Sequence, residues 1–210
     1  MITDKKCSMC RRAGEKLFLK GEKCFTPKCI FIKKPYPPGK VDAERKHRSN
    51  LTEYGIQLRE KQKVRNTYGV SERQFSNYIK DVSGKSGGNP GEKLYELLER
   101  RLDNIVFRMG LARSRSQARQ LVAHGHITVN GRKSTIPSHR VTIGDIIEIR
   151  EGSKSRTIFG EVFKRLKDLT SPEWLKVNPD TGKAEITTLP KDREKHLPFN
   201  LSSVIEFYSR

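Results

Sequence analysis

Apolar residues recur at helical spacing through the first half of the chain. The segment Leu51–Thr67 contains no proline and is followed closely by Gly69, and these features together predict one helix. A second helix is predicted after Ser71, because this hydroxyl can cap the amide of Gln74 and apolar residues then follow with a helical period. Two consecutive helices indicate a small helical domain.

A longer apolar stripe runs from Leu94 to Met109. Its members share one helical face, which predicts a single continuous helix closed by the left-handed turn that Gly110 can supply. A shorter helix is expected after it, because Ser114 and Gln117 repeat the capping pattern. Two helices of unequal length are therefore predicted here.

Short runs rich in β-branched residues follow, each next to a turn. Ile127–Val129 leads into Asn130-Gly131, a sequence typical of a tight hairpin turn. Residues 141–143 and 146–149 are predicted to be two further strands, separated by a Gly-Asp turn. Two helices and a small antiparallel sheet make an α+β module of about 60 residues, which is the size of a minimal domain.

Three more elements are predicted in the last quarter of the chain. A helix is expected over Thr157–Asp168, and a hairpin is expected around Asn178–Gly182. A terminal helix follows, with Asn200 or Ser202 as its cap. The first two elements extend the α+β region, and the third is an apolar helix at the end of the sequence.

Two stretches rich in helix breakers divide the chain. Lys34–Lys40 contains three prolines and is expected to be a semi-rigid connector, whereas Gly84–Gly91 is a turn-rich linker. We therefore predict a first module with its connector, a helical domain with a basic arm, an α+β domain, and a terminal helix that packs with the helical domain: residues 1–40, 41–91, 92–198 and 199–210.

All four cysteines of the chain lie in its first thirty residues, at Cys7, Cys10, Cys24 and Cys29. Two close pairs on a short polar segment can converge on one tetrahedral metal ion, and zinc favours sulfur ligands in that geometry. Reduced, metal-free thiols are the main alternative, and disulfides would require an oxidising compartment. A closed four-sulfur site leaves no open position for water, so we expect structural rather than catalytic Zn²⁺.

The charge balance indicates which class of partner the chain binds. The 210 residues include 43 Lys and Arg but only 24 Asp and Glu, which gives a formal net charge of +19. Such a chain repels itself unless a polyanion neutralises it, and phosphate backbones are the usual polyanion. An anionic membrane surface is the weaker alternative, because no basic amphipathic anchor is evident. The chain also has no signal-like or membrane-spanning apolar run, so we expect a reducing, intracellular compartment.

Several arginines of the α+β region are candidates for phosphate contacts, because a guanidinium group can bind two oxygens at once. We expect about half of this set to contact RNA and the rest to form surface ion pairs. The alternative is that some of the set pair with Glu99 or Asp103 inside the fold, and Arg100 could pair weakly with Asp103. On a continuous helix, Arg101 and Asp103 would be too close in sequence to face each other. The sequence therefore does not decide which of these arginines form ion pairs and which contact RNA.

The histidines and the remaining polar residues carry no catalytic pattern. His124 and His126 flank Gly125 at a predicted helix end, and we favour turn residues or RNA contacts over metal ligands there. No nucleophile–base arrangement or pair of carboxylates emerges, and the scattered Ser and Asp residues occur where caps and turns require them. The sequence therefore predicts that the protein is not an enzyme.

The α+β region contains a series of short motifs: Arg101-Leu102-Asp103-Asn104, Ser114-Arg115-Ser116-Gln117-Ala118-Arg119, His124-Gly125-His126-Ile127 and Val129-Asn130-Gly131. They resemble the RNA-binding module named after small-subunit ribosomal protein S-four, which also occurs in some RNA-modifying enzymes and tRNA synthetases. The flanking segments Tyr54–Lys63, Tyr68–Phe75 and Val204–Arg210 resemble the bacterial ribosomal protein itself. The cysteine spacing is similar to that of its zinc-bearing branch.

The resemblance implies a structural constituent of the small ribosomal subunit in the cytoplasm. It implies primary binding of 16S rRNA in the 5′ domain, early in assembly, and a place beside ribosomal proteins S-five and S-three where mRNA enters. There the basic arm of Arg45, Lys46, His47 and Arg48 would face mRNA and contribute to accuracy. An RNA-modifying enzyme with an appended module and a free RNA chaperone or regulator are the rival classes.

Charge and resemblance together give the expected RNA contacts. They are Arg11, Arg12, Lys20, Arg45, Lys46, His47, Arg48, Arg59, Lys61, Lys63, Arg73, Arg101, Arg113, Arg115, Arg119, His124, His126, Arg132 and Lys133.

Overall fold

The computed structural model describes residues 5–39, 51–84, 88–167, 169–190 and 199–209, and they form two compact units. The first unit holds the chain up to Leu94 together with the C-terminal helix, and the second begins at Tyr95. The predicted basic arm of Arg45, Lys46, His47 and Arg48 lies outside the described residues. Among the described helices, none is long and apolar enough to cross a membrane.

The first unit is helical. Its elements are α1 (Lys6–Ala13), a 3-10 turn (Gly21–Cys24), α2 (Ile30–Lys33), α3 (Glu53–Tyr68), α4 (Glu72–Ser83) and, from the C-terminus, α11 (Leu201–Tyr208). The predicted caps are confirmed: the Ser71 hydroxyl accepts a hydrogen bond from the Gln74 amide at 3.3 Å, and the Asn200 side chain accepts one from Ser203. Helix α11 packs along α3, and the Tyr208 ring lies 6.1 Å from that of Phe75.

Helices α5 (Pro90–Glu99) and α6 (Leu102–Arg108) replace the single helix predicted from Leu94 to Met109, so that prediction was wrong. The chain is extended at Arg101, which forms an isolated β-bridge with Arg140. The amide of Leu102 then donates to the carbonyl of His139 at 2.9 Å. A distant loop thus supplies the backbone hydrogen bonds that a continuous helix would have made internally.

The second unit pairs helix α7 (Arg115–Ala123) and α6 with a five-stranded antiparallel sheet. The strands are β1 (Ile127–Val129), β2 (Arg132–Ser134), β3 (Ile146–Ile149), β4 (Leu175–Asn178) and β5 (Lys183–Ile186), in the order β2-β1-β3-β5-β4. Both predicted hairpins are confirmed. Asn130 adopts φ +50° in the first turn, as a tight hairpin requires. The predicted combination of helices and a small antiparallel sheet is confirmed.

Two local predictions in this unit were wrong. Residues 141–143 do not form a strand, because the Asp145 carboxylate accepts hydrogen bonds from the Thr142 amide at 2.7 Å and hydroxyl at 2.9 Å and closes a turn there. The helix expected over Thr157–Asp168 is divided into α9 (Thr157–Gly160) and α10 (Val162–Lys167), after a further short helix, α8 (Glu151–Lys154).

One apolar core joins these elements of the second unit. Ile105 from α6, Val122 from α7, Ile127 and Ile147 from the sheet, and Phe159 from α9 are all fully buried. Burying a side chain of this size stabilises a fold by about 1.5–3 kcal/mol. The core therefore holds α6, α7 and the sheet in fixed positions and leaves their outer faces to carry polar groups.

Candidate nucleic-acid interface

A buried carboxylate organises two of the predicted RNA contacts. Asp103 is about 3% exposed and accepts hydrogen bonds at both oxygens from Arg101, with Nε–Oδ1 at 3.0 Å and Nη2–Oδ2 at 2.8 Å. Arg119 also donates to Oδ2, from Nη2 at 2.6 Å. The Arg101 side chain is 2% exposed, whereas that of Arg119 is 36% exposed. Arg101 therefore lies inside the fold, and Arg119 reaches from Asp103 to the surface.

The expectation that Arg101 and Asp103 cannot face each other was wrong, because it assumed a continuous helix. Arg101 precedes α6 in extended conformation, and its side chain can turn back onto Asp103 in the first turn of that helix. The break between α5 and α6 thus makes this buried ion pair possible.

A second buried carboxylate, Glu99, braces the neighbouring helices. Its oxygens accept hydrogen bonds from Arg108 at 2.9 and 3.0 Å and from Asn104 at 2.8 Å. Asn104 in turn accepts one from Arg115 Nε at 2.8 Å, and the Arg115 guanidinium lies 4.6 Å from the centre of the Phe107 ring. The network fixes the direction of Arg115 on α7 through groups that are themselves buried or half-buried.

Two predicted contacts of the first unit also lie in intramolecular ion pairs. Lys61 donates to Glu72 at 2.6 Å, and Lys63 donates to Glu15 and Glu60 at 2.7 Å each. Their side chains are only 8% and 7% exposed. Burial alone would lower the pKa of Lys63, but the two carboxylates outweigh it and raise the pKa above its ordinary value.

The other members of the predicted set lie nearer the surface. Arg11 donates to the carbonyl of Tyr36 at 2.7 Å, Arg113 pairs with Glu161 at 2.8 Å, and Arg59 is half-buried. The remaining members are exposed: Arg12, Lys20, Arg73, His124, Arg132 and Lys133. Within the described part of the chain, the Arg132 and Lys133 side chains pair with no carboxylate.

A polar cleft of about 450 Å³ lies where α7 meets the sheet and the short helices. It is lined by His124, Gly125, His126, Arg150, Gly152, Ser153 and Arg156. His126 is 5% exposed, and its Nδ1 lies 2.9 Å from the Ser153 hydroxyl. Burial, followed by the charges of Arg156, His124, Arg150 and Lys133, lowers the pKa of His126 from its ordinary value.

Arg150, Ser153 and Arg156 are not among the site residues predicted from the sequence. A signal was present, because the three residues recur at intervals of three directly after the last β-rich run. That interval places side chains on one face of tight consecutive turns.

The other three cysteines lie within electrostatic reach of Cys10. Cys10 and Cys24 are buried, and Cys7 and Cys29 are half-buried. Burial raises the pKa of Cys10, a hydrogen bond with the Leu17 backbone opposes this, and the charges of the other three cysteines raise it further. In the described residues, however, no group of three or more His, Cys, Asp or Glu side chains is arranged to hold a metal ion.

The fold and the outward-facing cations are typical of an RNA-binding protein. Comparison with known families agrees. Residues 1–99 match the family model of the ribosomal protein S4/S9 N-terminal domain, and residues 100–147 match that of the S4 domain.

Curated relatives match almost the whole chain. It is 48% identical over 204 residues to small ribosomal subunit protein uS4 of Halothermothrix orenii, with 97% of this chain and 96% of that protein covered. It is 47% identical over 207 residues to the same protein of Koribacter versatilis, with 99% and 98% covered. The chain therefore belongs to the ribosomal protein S4 family, a family of structural components of the small ribosomal subunit.

Proposed function

We propose that this protein is a primary binder of 16S rRNA in the 5′ domain and that it nucleates assembly of the small subunit. The observation that supports this most directly is the division of cations in the second unit. The buried carboxylates Asp103 and Glu99 are matched internally by arginines, whereas the exposed cations Arg132 and Lys133 have no carboxylate partner among the described residues.

In this proposal, RNA binds electrostatically to cations that the protein holds in fixed positions. Lysine and arginine side chains displace counterions from the phosphate backbone, and this release drives association. The contacts come from the exposed members of the predicted set. The internal pairs of Arg101, Lys61 and Lys63 hold the surface in shape, so less conformational freedom is lost when RNA binds.

Titration of a 5′-domain 16S rRNA fragment with the full chain at several KCl concentrations tests the proposal. The logarithm of the binding constant should fall linearly with the logarithm of salt concentration, by about 0.7–0.9 for each phosphate contacted. The double substitution Arg132→Gln with Lys133→Gln should reduce that slope by about one to two. Lys176→Gln, an exposed lysine on β4, is the matched control. A slope near zero for the unmodified protein would contradict electrostatic binding.

We further propose a position beside ribosomal proteins S-five and S-three where mRNA enters the cytoplasmic ribosome, with a contribution to translational accuracy. The support is the basic composition of the arm Arg45–Arg48. Reconstituted subunits carrying glutamine at Arg45, Lys46 and Arg48 should cross-link less to mRNA and keep normal rRNA binding. Unchanged mRNA cross-linking would contradict the placement of the arm.

We also propose structural Zn²⁺ held by Cys7, Cys10, Cys24 and Cys29. The support is the chemistry of the four side chains, because zinc prefers thiolate ligands and bound zinc would favour their deprotonated form. In the described residues the thiols are not arranged around one point, so zinc would have to draw them together. Zinc supplies no reaction here and would only link α1 to the segment before α2. Metal analysis of the purified protein should give about one zinc per chain, and Cys24→Ser should lower it. Less than about half an equivalent with four titratable thiols would contradict the proposal.

A further inference from the structure

We propose that the cleft between His126, Arg150, Ser153 and Arg156 is a binding site for a phosphate group of the RNA backbone. This inference rests on the proposed rRNA binding and identifies one contact within it. The cleft is formed largely by the segment after β3. The capping motifs and the arginines of α7 do not predict it.

Three successive tight turns build one wall of the cleft. The amide of Ser153 donates to the Arg150 carbonyl at 2.8 Å, that of Arg156 to the Ser153 carbonyl at 3.1 Å, and that of Phe159 to the Arg156 carbonyl at 2.9 Å. A turn that closes every three residues places each third side chain on the same side. Two guanidinium groups therefore flank a hydroxyl on one wall, and Phe159 anchors the series in the core.

A histidine next to Ser153 also lines the cleft, and several contacts hold it in place. The Arg150 amide donates to the His126 carbonyl at 2.9 Å, and the His126 amide donates to the Leu121 carbonyl at 3.1 Å. The Ser153 hydroxyl lies 2.9 Å from His126 Nδ1, and the Phe159 ring meets the imidazole edge-on at 6.0 Å. These contacts fix the ring at the cleft, so a ligand that meets it orders no further side chain there.

The charge around the cleft is positive and unbalanced. Arg150 and Arg156 line it, and the Lys133 side chain lies across Gly125, where an added methyl group would come within 2.1 Å of Lys133 Cε. No aspartate or glutamate is among the lining residues. Two guanidinium groups, an ammonium group and a hydroxyl match the oxygens and charge of a phosphate, whereas a neutral base edge would leave the cations uncompensated.

A bound phosphate should also change the protonation of His126. The charged and titratable groups that face this ring are Arg156, His124, Arg150 and Lys133, all cationic or neutral, and together with burial they hold its pKa down. An anion in the cleft offsets them and raises that pKa, so binding takes up protons. Affinity should therefore increase as the pH is lowered from 8 toward 6, and His126→Gln should flatten this dependence.

The test measures binding of the 5′-domain rRNA fragment by the full chain, using Arg150→Gln and Arg156→Gln. Loss of one charge-assisted contact should weaken binding by about tenfold or more, and it should reduce the salt slope by about 0.7–0.9. Lys176→Gln is the control for the loss of an exposed cation elsewhere in the second unit. Arg156→Lys should retain the salt slope and part of the affinity.

Resonances of the His126 ring, followed by NMR, distinguish the source of the phosphate. Movement with rRNA, absent in Arg150→Gln, together with the affinity loss, supports an RNA-backbone site. Movement with inorganic phosphate alone, with rRNA affinity unchanged in both variants, would overturn the RNA assignment in favour of free phosphate. Variants that bind rRNA as the Lys176→Gln control does would overturn the proposal and leave the proposed function intact. An unmodified chain that fails to bind rRNA would overturn both.

Discussion

Replacing Asp103 with asparagine should destabilise the second unit strongly. The Asp103 carboxylate is the counter-charge of the Arg101 guanidinium, and both side chains are 3% exposed or less. Asparagine keeps the volume but removes the charge, so Arg101 would stay in the interior without the counter-charge of Asp103. Removing one member of a buried pair typically costs about 3–5 kcal/mol. Arg119 should contribute little to this cost, because it is 36% exposed and water can solvate it.

That loss is large against the total stability of a domain, which is about 5–15 kcal/mol. It can be measured in the second unit alone, because the only tryptophan of the chain, Trp174, is 6% exposed in the core of that unit. Urea unfolding followed by Trp174 fluorescence therefore reports its free energy of unfolding directly. Asp180→Asn, in the exposed turn between β4 and β5, is the matched control and should change that free energy by less than about 0.5 kcal/mol.

A double variant tests the cause. Arg101→Leu combined with Asp103→Leu removes both charges, and apolar replacement of a buried pair is often neutral or stabilising. The double variant should therefore be more stable than Asp103→Asn alone. A loss below about 1 kcal/mol in Asp103→Asn, or a double variant less stable than that single variant, would refute the reasoning that an uncompensated buried charge dominates.

Two further predictions concern turns of the second unit. Burial would raise the pKa of Asp145, but hydrogen bonds from Thr142 and Asn130 outweigh it and hold the pKa below its ordinary value of 3.8. The stability that these hydrogen bonds contribute is therefore present at pH 7 and is lost as the pH falls through the lowered pKa. Asp145→Asn should cost about 1–2 kcal/mol in urea unfolding at pH 7, and the difference should shrink toward pH 3; a constant difference would argue against the carboxylate. Gly125 adopts φ +72°, so Gly125→Ala should lower the free energy of unfolding by about 1–2 kcal/mol. Gly152 has no positive φ and lies in open space, so Gly152→Ala should lower it little. Equal losses in the two variants would contradict the backbone argument.

The parts of the fold that the sequence predicted are those determined by local hydrogen bonds. Ser71 and Ser114 each cap the amide three residues ahead, and such a cap needs no information from elsewhere in the chain. The break at Arg101 could not be predicted in this way, because it depends on a bridge to Arg140 and on a carbonyl of the same distant loop. The apolar stripe continues through the break, because Leu94 and Leu98 of α5 are buried just as Leu102 and Ile105 of α6 are.

The side chains of the candidate interface could also not be predicted where their positions depend on distant residues. Arg101, Arg115 and Arg119 are equivalent by composition, and the alternative that some arginines pair with Glu99 or Asp103 was confirmed without identifying which. The distinction depends on where each backbone position lies relative to a buried carboxylate. Arg150 and Arg156 were missed because the short helices that carry them have no apolar period long enough to predict.

The buried carboxylates connect stability with binding. Asp103 holds Arg101 in the interior and, through its second oxygen, directs Arg119 outward. Glu99 acts on Arg115 through Asn104 in the same way. An arginine fixed at its inner end loses less conformational entropy when it meets a phosphate than a freely rotating one, because its rotamer is already selected. The buried carboxylates therefore also fix the directions of Arg115 and Arg119 on α7, and under the proposed function these two side chains would meet RNA phosphates already ordered.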